Sequence, residues 1–218
     1  MDDVTARVPQ GAVPGGGGVM STRRVEQMPA GAGGWADLAR RWAESDVPEG
    51  WRAELIEGAV TLSPPPDRHH HIVLDQIQRQ LYAAIPPDWG IYQRLGLAVP
   101  ACEGVFVPDL AVVPKRGVPH GESAYAPAAA ARMTVEITSR ASAHRDRTTK
   151  AAGYALAGVP LYVLEDGWAP RGPSVTLYGV PEGEAYRVLG TVGFGADLHL
   201  PEPFGTTLET GAFATRTT

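Results

Sequence analysis

The chain has 218 residues, 44% of them hydrophobic, with a formal net charge of −5, which suits one ordinary globular domain with a tail and gives no overall basic field of the kind that announces a nucleic-acid binder. No apolar run approaches the roughly 20 residues of a membrane helix, and the acidic, proline-bearing start is unlike a signal peptide, so a cytoplasmic protein without a membrane span is expected. Cys102 is the only cysteine, which excludes an internal disulfide and a thiolate zinc cluster.

Residues 1–34 contain Gly15-Gly16-Gly17-Gly18, several prolines and few large apolar groups, a composition that buries too little surface to offset its ordering entropy. They are read as a mobile tail, and residues 35–218 as the domain. Trp35, Leu38, Ala39 and Trp42 recur at helical spacing, so residues 35–45 predict a short amphipathic helix, broken by Pro48-Glu49-Gly50. Residues 51–63 predict two strands turning at Glu57-Gly58, with Leu55, Val60 and Leu62 inward and Glu54 on a strand face that pattern alone assigns to solvent. Residues 67–85 form the clearest helix: Ile72, Ile77, Leu81 and Ile85 make the stripe, and Pro86-Pro87 stops it. Its first turn holds His69, His70 and His71, which project about 100° apart and so do not all ligate one ion. His70 and His71 are expected to be inert.

Residues 91–99 and 105–113 predict a second hairpin, carrying Pro108-Asp109. Residues 114–132 are rich in Pro, Gly, Ala and Ser and read as a long surface connection, in which Glu122 is a candidate lid acid. Met133 to Ile137 is a β-branched run with Glu136 inside it. Two apolar strands that each carry one carboxylate pose a solvation problem, and a hard divalent cation is the common solution that draws on oxygens from neighbouring strands. The alternative is that Asp109 caps a turn beside its proline and Glu136 pairs with an arginine.

Residues 142–157 predict a helix with Ala143, Thr149, Ala152, Gly153 and Leu156 on a small-residue face. Asp146 and Lys150 stand four apart on it, a spacing that by itself is a surface ion pair worth a few tenths of a kcal/mol. Lys150 and Lys115 are nevertheless the only lysines among 19 basic residues, and an ammonium is a compact point charge that a guanidinium does not copy. A strand at 160–165, a hairpin at 175–179 and 185–189, an edge segment at 197–200 and a packed tail at 204–213 complete the chain. There is no internal repeat, Gly-rich phosphate loop or G-x-S-x-G elbow.

Taken together, Pro108-Asp109, Val135-Glu136-Ile137-Thr138-Ser139, and Asp146, Lys150, Tyr154, Gly158-Val159-Pro160-Leu161-Tyr162 resemble the Uma2 family, a branch of the PD-(D/E)xK nuclease superfamily. Glu54-Leu55-Ile56 with Gly58, and Ser63-Pro64-Pro65-Pro66 followed by His69, match the front end of that family. The likeness spans roughly residues 51–208. It implies an α/β fold with a restriction-endonuclease-like core, a central mixed β-sheet flanked by helices, and additional N- and C-terminal β-hairpins; the predicted order helix, strand, strand, strand, helix, strand over 67–165 agrees.

The resemblance implies a metal-dependent endonuclease acting on nucleic acid, DNA first, with Asp109, Glu136 and Lys150 catalytic and Mg²⁺ or Mn²⁺ held by Asp109, Glu136 and the Ile137 carbonyl. Glu54, His69 and Asp146 are supporting candidates. The sequence departs from the superfamily at one point, because Thr138 stands where the strand lysine is usual, and Lys150 on the next helix replaces it only if it reaches back over the strand ends. Two other classes stay open: a nuclease-fold module that binds a partner or nucleic acid without cutting, and a hydrolase of small phosphoesters. Superfamily members often pair, and the late hairpin offers an edge for a homodimer.

Overall fold

A computed structural model describes residues 23–27, 34–120 and 125–213. The chain runs β1 (Arg23–Gln27), α1 (Gly34–Ala43), β2 (Arg52–Ile56), β3 (Ala59–Ser63), α2 (Arg68–Ala84) and β4 (Trp89–Tyr92). It continues through β5 (Gly96–Val99), β6 (Gly104–Phe106), β7 (Leu110–Pro114), β8 (Tyr125–Pro127) and β9 (Met133–Ile137). The helical segment that follows is α3 (Ala143–Arg145), a π-helical turn at Asp146–Lys150, and α4 (Ala151–Leu156). Last come β10 (Leu161–Asp166), β11 (Ser174–Glu182), β12 (Ala185–Gly193), β13 (Leu198–Leu200) and β14 (Thr206–Leu208). No helix among the described residues is long and apolar enough to cross a membrane.

Two six-stranded sheets carry the fold, in the orders β1-β3-β2-β6-β5-β8 and β12-β11-β10-β9-β7-β4. The second is mixed, because β9 and β10 are parallel whereas β7 and β9 are antiparallel. Side chains alternate across it. Leu110, Val112, Met133, Val135 and Ile137 meet Val73, Leu74, Ile77 and Leu81 of α2 on one face. Ala111, Val113, Tyr162 and Leu164 meet Tyr154 of α4 on the other. Glu136, between Val135 and Ile137, therefore turns away from α2 and toward the helix that carries Lys150.

The segment expected to be one hairpin over 91–113 is in fact shared between the sheets. β4 pairs with β7 in the second sheet, β5 pairs with β6 in the first, and the chain crosses the seam at residues 93–95 and again at 107–109. Pro108 removes a ladder donor from the second crossing, and Arg94 takes a left-handed backbone (φ 58) at the first. Asp109 sits at this seam because of the crossing, not because a turn ends there.

Other expectations are adjusted. Arg23–Gln27, inside the stretch read as a tail, pairs antiparallel with β3. Tyr125–Pro127, inside the expected surface connection, is a short edge strand parallel to β5, too brief and too proline-marked to betray itself by periodicity. Glu122 lies outside the described residues. On α2 the buried positions are Val73, Leu74, Ile77 and Leu81, while Ile72 is exposed. On the later helix Leu156 is exposed and Ala143, Asp146, Lys150, Gly153 and Tyr154 are buried. Charged residues occupy the inner stripe there, which hydrophobic counting does not credit.

The approach of α4 to the first sheet is set by Gly153. A Cβ at this position would stand 2.3 Å from Cε2 of Phe106, inside the distance that side chains tolerate. Gly153→Ala is expected to destabilise the protein by about 1–3 kcal/mol through overpacking, read as a lower urea midpoint at unchanged slope. An unshifted midpoint would mean that helix and sheet are less tightly apposed than described.

Candidate functional site

β2, the β6–β7 crossing, β9 and the π-helical turn bring four carboxylates to one buried place. Glu54, Glu136, Asp146 and Lys150 are at most 2% exposed and Asp109 8%. The Lys150 ammonium lies 2.8 Å from Glu54 Oε1 and 2.5 Å from Glu136 Oε1. The Tyr154 hydroxyl donates to Glu136 Oε1 at 2.7 Å, and the Val107 N–H donates to Glu54 Oε1 at 2.8 Å. Asp109 accepts from Arg52 on Oδ1 and from the Ile137 N–H on Oδ2, each at 2.8 Å, with His70 Nε2 3.2 Å from Oδ1. Through Ile137, Asp109 is tied directly to the strand that presents Glu136.

The π-helical turn explains why Asp146 and Lys150 are not the surface pair that their spacing suggests. The wider turn, a common device at functional sites, carries both side chains inward, where Lys150 pairs with Glu54 and Glu136 while Asp146 accepts a hydrogen bond from Ser142. The Tyr162 hydroxyl donates to the Asp146 carbonyl at 2.9 Å and helps fix the turn. Lys150 thus reaches back to β9 from the helix, occupying the place that Thr138 does not fill.

Charge in this cluster does not balance. Four carboxylic groups face two permanent cations, Arg52 and Lys150, with His70 beside Asp109. Burial raises the Glu54 carboxyl, but Lys150, Arg52 and the Val107 N–H outweigh it, so its pKa is lowered. Asp109 follows the same pattern: burial opposes ionisation, and His70, Arg52 and the Ile137 N–H hold it well below the usual carboxylate range. Glu136 takes the deficit. Burial pushes it up to about 8; Lys150 opposes the rise, while Asp146, Asp109 and Glu54 add to it. Burial also raises Asp146. The Lys150 amine, disfavoured by burial, is raised by Glu136, Glu54 and Asp146 and stays charged.

A cleft of about 640 Å³ opens in front of the cluster, with Asp109, Arg52 and His70 at its floor and Arg94 and Arg140 on its walls. Pro64-Pro65-Pro66 and Trp168 line it as well. Three arginines thus line a single cleft: Arg52 is paired with Asp109, Arg94 donates to the Trp51 carbonyl, and Arg140 lies over the Trp168 ring. Only Asp109 of the acids lines the cleft; Glu54, Glu136 and Lys150 lie behind it.

Against the sequence expectations, Asp109, Glu136 and Lys150 converge, and Glu54 and Asp146 join them. His69 does not: its Nε2 lies 3.7 Å from Glu165 Oε1, and it is His70, expected to be inert, that meets Asp109. The cause is the helix start. Asp67 caps α2 by accepting the His70 N–H at 2.8 Å, which sets the rotation of the first turn. Arg52 also escaped sequence reading, since one arginine among many on a strand carries no local signal.

Comparison with known proteins bears on this arrangement. The family model of Uma2, described as “Putative restriction endonuclease”, matches residues 35–213. The chain belongs to the Uma2 family. A solved structure described as “a putative nuclease belonging to DUF820”, from Anabaena variabilis ATCC 29413, is similar at 18% identity with a TM-score of 0.60, covering 80% of this chain and 96% of that one. At that identity the likeness supports the Uma2 fold alone. The restriction-endonuclease-like mixed α/β architecture expected from the sequence agrees with it. A comparison with curated proteins finds no match.

Proposed function

We propose that this Uma2 chain is a metal-dependent endonuclease that hydrolyses phosphodiester bonds of nucleic acid, DNA in the first instance. The observation that carries the reading is a buried centre in which four carboxylic groups meet two permanent cations, Arg52 and Lys150, beside a cleft lined by Arg52, Arg94 and Arg140. A purely structural ion network has no reason to gather more acids than cations, since burial then makes one of them, Glu136, keep its proton up to about pH 8.

The donor set fits Mg²⁺ or Mn²⁺. The donors are all oxygen, carboxylate and backbone carbonyl, which suits a hard ion; among the described residues no three His, Cys, Asp or Glu side chains are grouped to hold a metal by themselves, so the ion would take two carboxylates and keep most of its waters. Asp109 and Glu136, with the Ile137 carbonyl, would hold it; when bound, it would polarise the phosphodiester and lower the pKa of a water. Lys150 supplies a fixed positive charge for the negative charge that develops at phosphorus, and Glu54 and Tyr154 keep that ammonium and Glu136 oriented. Arg52, Arg94 and Arg140 bind the flanking phosphates.

Nicking of supercoiled plasmid by the purified chain tests the reading. Conversion to open circles with Mg²⁺ or Mn²⁺, abolished by EDTA, is expected. A plasmid and a single-stranded oligonucleotide both left intact with either ion would favour a binding module that does not cut.

The raised Glu136 carboxyl adds a pH signature. Its folded pKa, about 8, exceeds the ordinary value of 4.5, so its contribution to stability is complete below about pH 4.5 and is lost as pH rises through 8. Because ligation needs the carboxylate, Mg²⁺ uptake at pH 7 is expected to release about one proton and none at pH 9.5. Calorimetry in buffers of different ionisation enthalpy reads this directly; buffer-independent heats at pH 7 would place the proton elsewhere.

A further inference from the structure

Trp168 lines the same cleft as Asp109, and its backbone is fixed by hydrogen bonds. Asp166, on the last residue of β10, accepts Arg147 Nε at 2.6 Å and the Trp168 N–H at 3.0 Å. Arg147 also donates to the Trp168 carbonyl at 2.7 Å, so the Trp168 backbone is held from both sides. The Arg140 guanidinium carbon lies 5.0 Å from the centre of the Trp168 ring, and both residues line the cleft. An indole joined to a guanidinium is a surface on which a nucleobase stacks without sequence preference.

Burial of the centre adds a second constraint. Glu136 and Lys150 are 1% and 0% exposed and lie behind Asp109, in a cleft whose 640 Å³ is in the range of sites for small ligands. A stiff duplex keeps its bases stacked inward and its backbone at the rim of such a cleft. An unpaired strand is flexible enough to bring a phosphate down to Asp109 while a neighbouring base turns outward onto the wall.

We propose that Trp168 and Arg140 form a stacking site for an unpaired nucleobase beside the buried acids, making single-stranded nucleic acid the preferred substrate class. The proposal rests on the nuclease reading above and names the substrate of that same centre. Trp168 and Arg140 bind the base; Asp166 and Arg147 are positioning residues that act through Trp168.

The test uses the full chain and three fluorescent oligonucleotides of equal length: a mixed-sequence single strand, its duplex, and an abasic strand with the same phosphates. Anisotropy in Ca²⁺ reads affinity, and cleavage in Mg²⁺ reads turnover. The wild-type chain is expected to prefer the base-bearing single strand to the other two. Trp168→Ala is expected to reduce the ratio of base-bearing to abasic affinity about tenfold or more, moving KM rather than kcat, and Trp168→Phe to restore part of that ratio. Equal affinity of the wild type for base-bearing and abasic strands overturns the stacking site while leaving the nuclease reading intact, and duplex cut as well as single strand overturns the substrate class. A base-dependent affinity with no cleavage of any strand upholds the stacking site and overturns the nuclease reading instead.

Discussion

Lys150→Ala is expected to lower the stability of this protein by about 3–5 kcal/mol, the usual cost of removing one partner from a buried ion cluster. The lysine is fully buried, and its ammonium lies 2.8 and 2.5 Å from Glu54 and Glu136. Without it, both carboxylates stay in the low-dielectric interior with only Arg52 to compensate them. Against a typical total of about 5–15 kcal/mol, that is enough to shift urea unfolding visibly and to leave a fraction of the chain unfolded at 37 °C. The effect should be non-additive: Lys150→Ala combined with Glu54→Gln is expected to be more stable than Lys150→Ala alone by about 0.5–3 kcal/mol, because Glu54, held below the ordinary carboxylate range, is the charge left stranded. A Lys150→Ala protein as stable as the parent would mean that the ammonium is not where it is described. The sequence taken alone suggests a cleaner outcome, loss of cleavage without loss of fold; the burial of Lys150 makes that separation unattainable by alanine.

The second large effect belongs to Asp109. Asp109→Asn keeps the shape of the side chain and the acceptor for the Ile137 N–H, which lies 2.8 Å from Oδ2, but removes the charge that faces Arg52 and His70 at the cleft floor. Loss of one of two carboxylates for a divalent ion is expected to abolish calorimetrically detectable Mg²⁺ binding and to reduce plasmid nicking about a thousandfold or more, equivalent to about 4 kcal/mol of lost transition-state stabilisation. Stability should change far less than with Lys150→Ala, since asparagine leaves Arg52 beside Glu54 at 3.9 Å. Cleavage that survives in Asp109→Asn would remove this residue from the chemistry and leave it as a partner of Arg52 alone.

Much of this centre is legible in the sequence for a simple physical reason. An acid inside an apolar strand is costly, so Asp109 beside Leu110-Ala111-Val112-Val113, and Glu136 within Met133–Ile137, mark themselves. Lys150 is harder to read, because an i, i+4 pair with Asp146 is what an exposed helix also shows, and only the π-helical turn decides where both side chains go. The seam between the sheets could not be read at all. Residues 91–99 and 105–113 read as two apolar runs around a turn, and no local pattern says that the segment is shared between different sheets. His70 rather than His69 faces Asp109 because the Asp67 cap fixes the rotation of α2, a choice among three identical residues about 100° apart that composition does not mark. Trp168 sits in a turn, where neither period nor propensity carries information.

The central claim is that the Asp109 and Glu136 carboxylates together hold a divalent cation. A crystal of the full chain soaked in Mn²⁺ and measured at the manganese absorption edge tests it directly. The account predicts an anomalous peak between the Asp109 and Glu136 carboxylates, behind the cleft floor and within water-bridged reach of Lys150. A map without a peak there, from crystals whose carboxylates are well ordered and at a pH above the Glu136 transition, would contradict it.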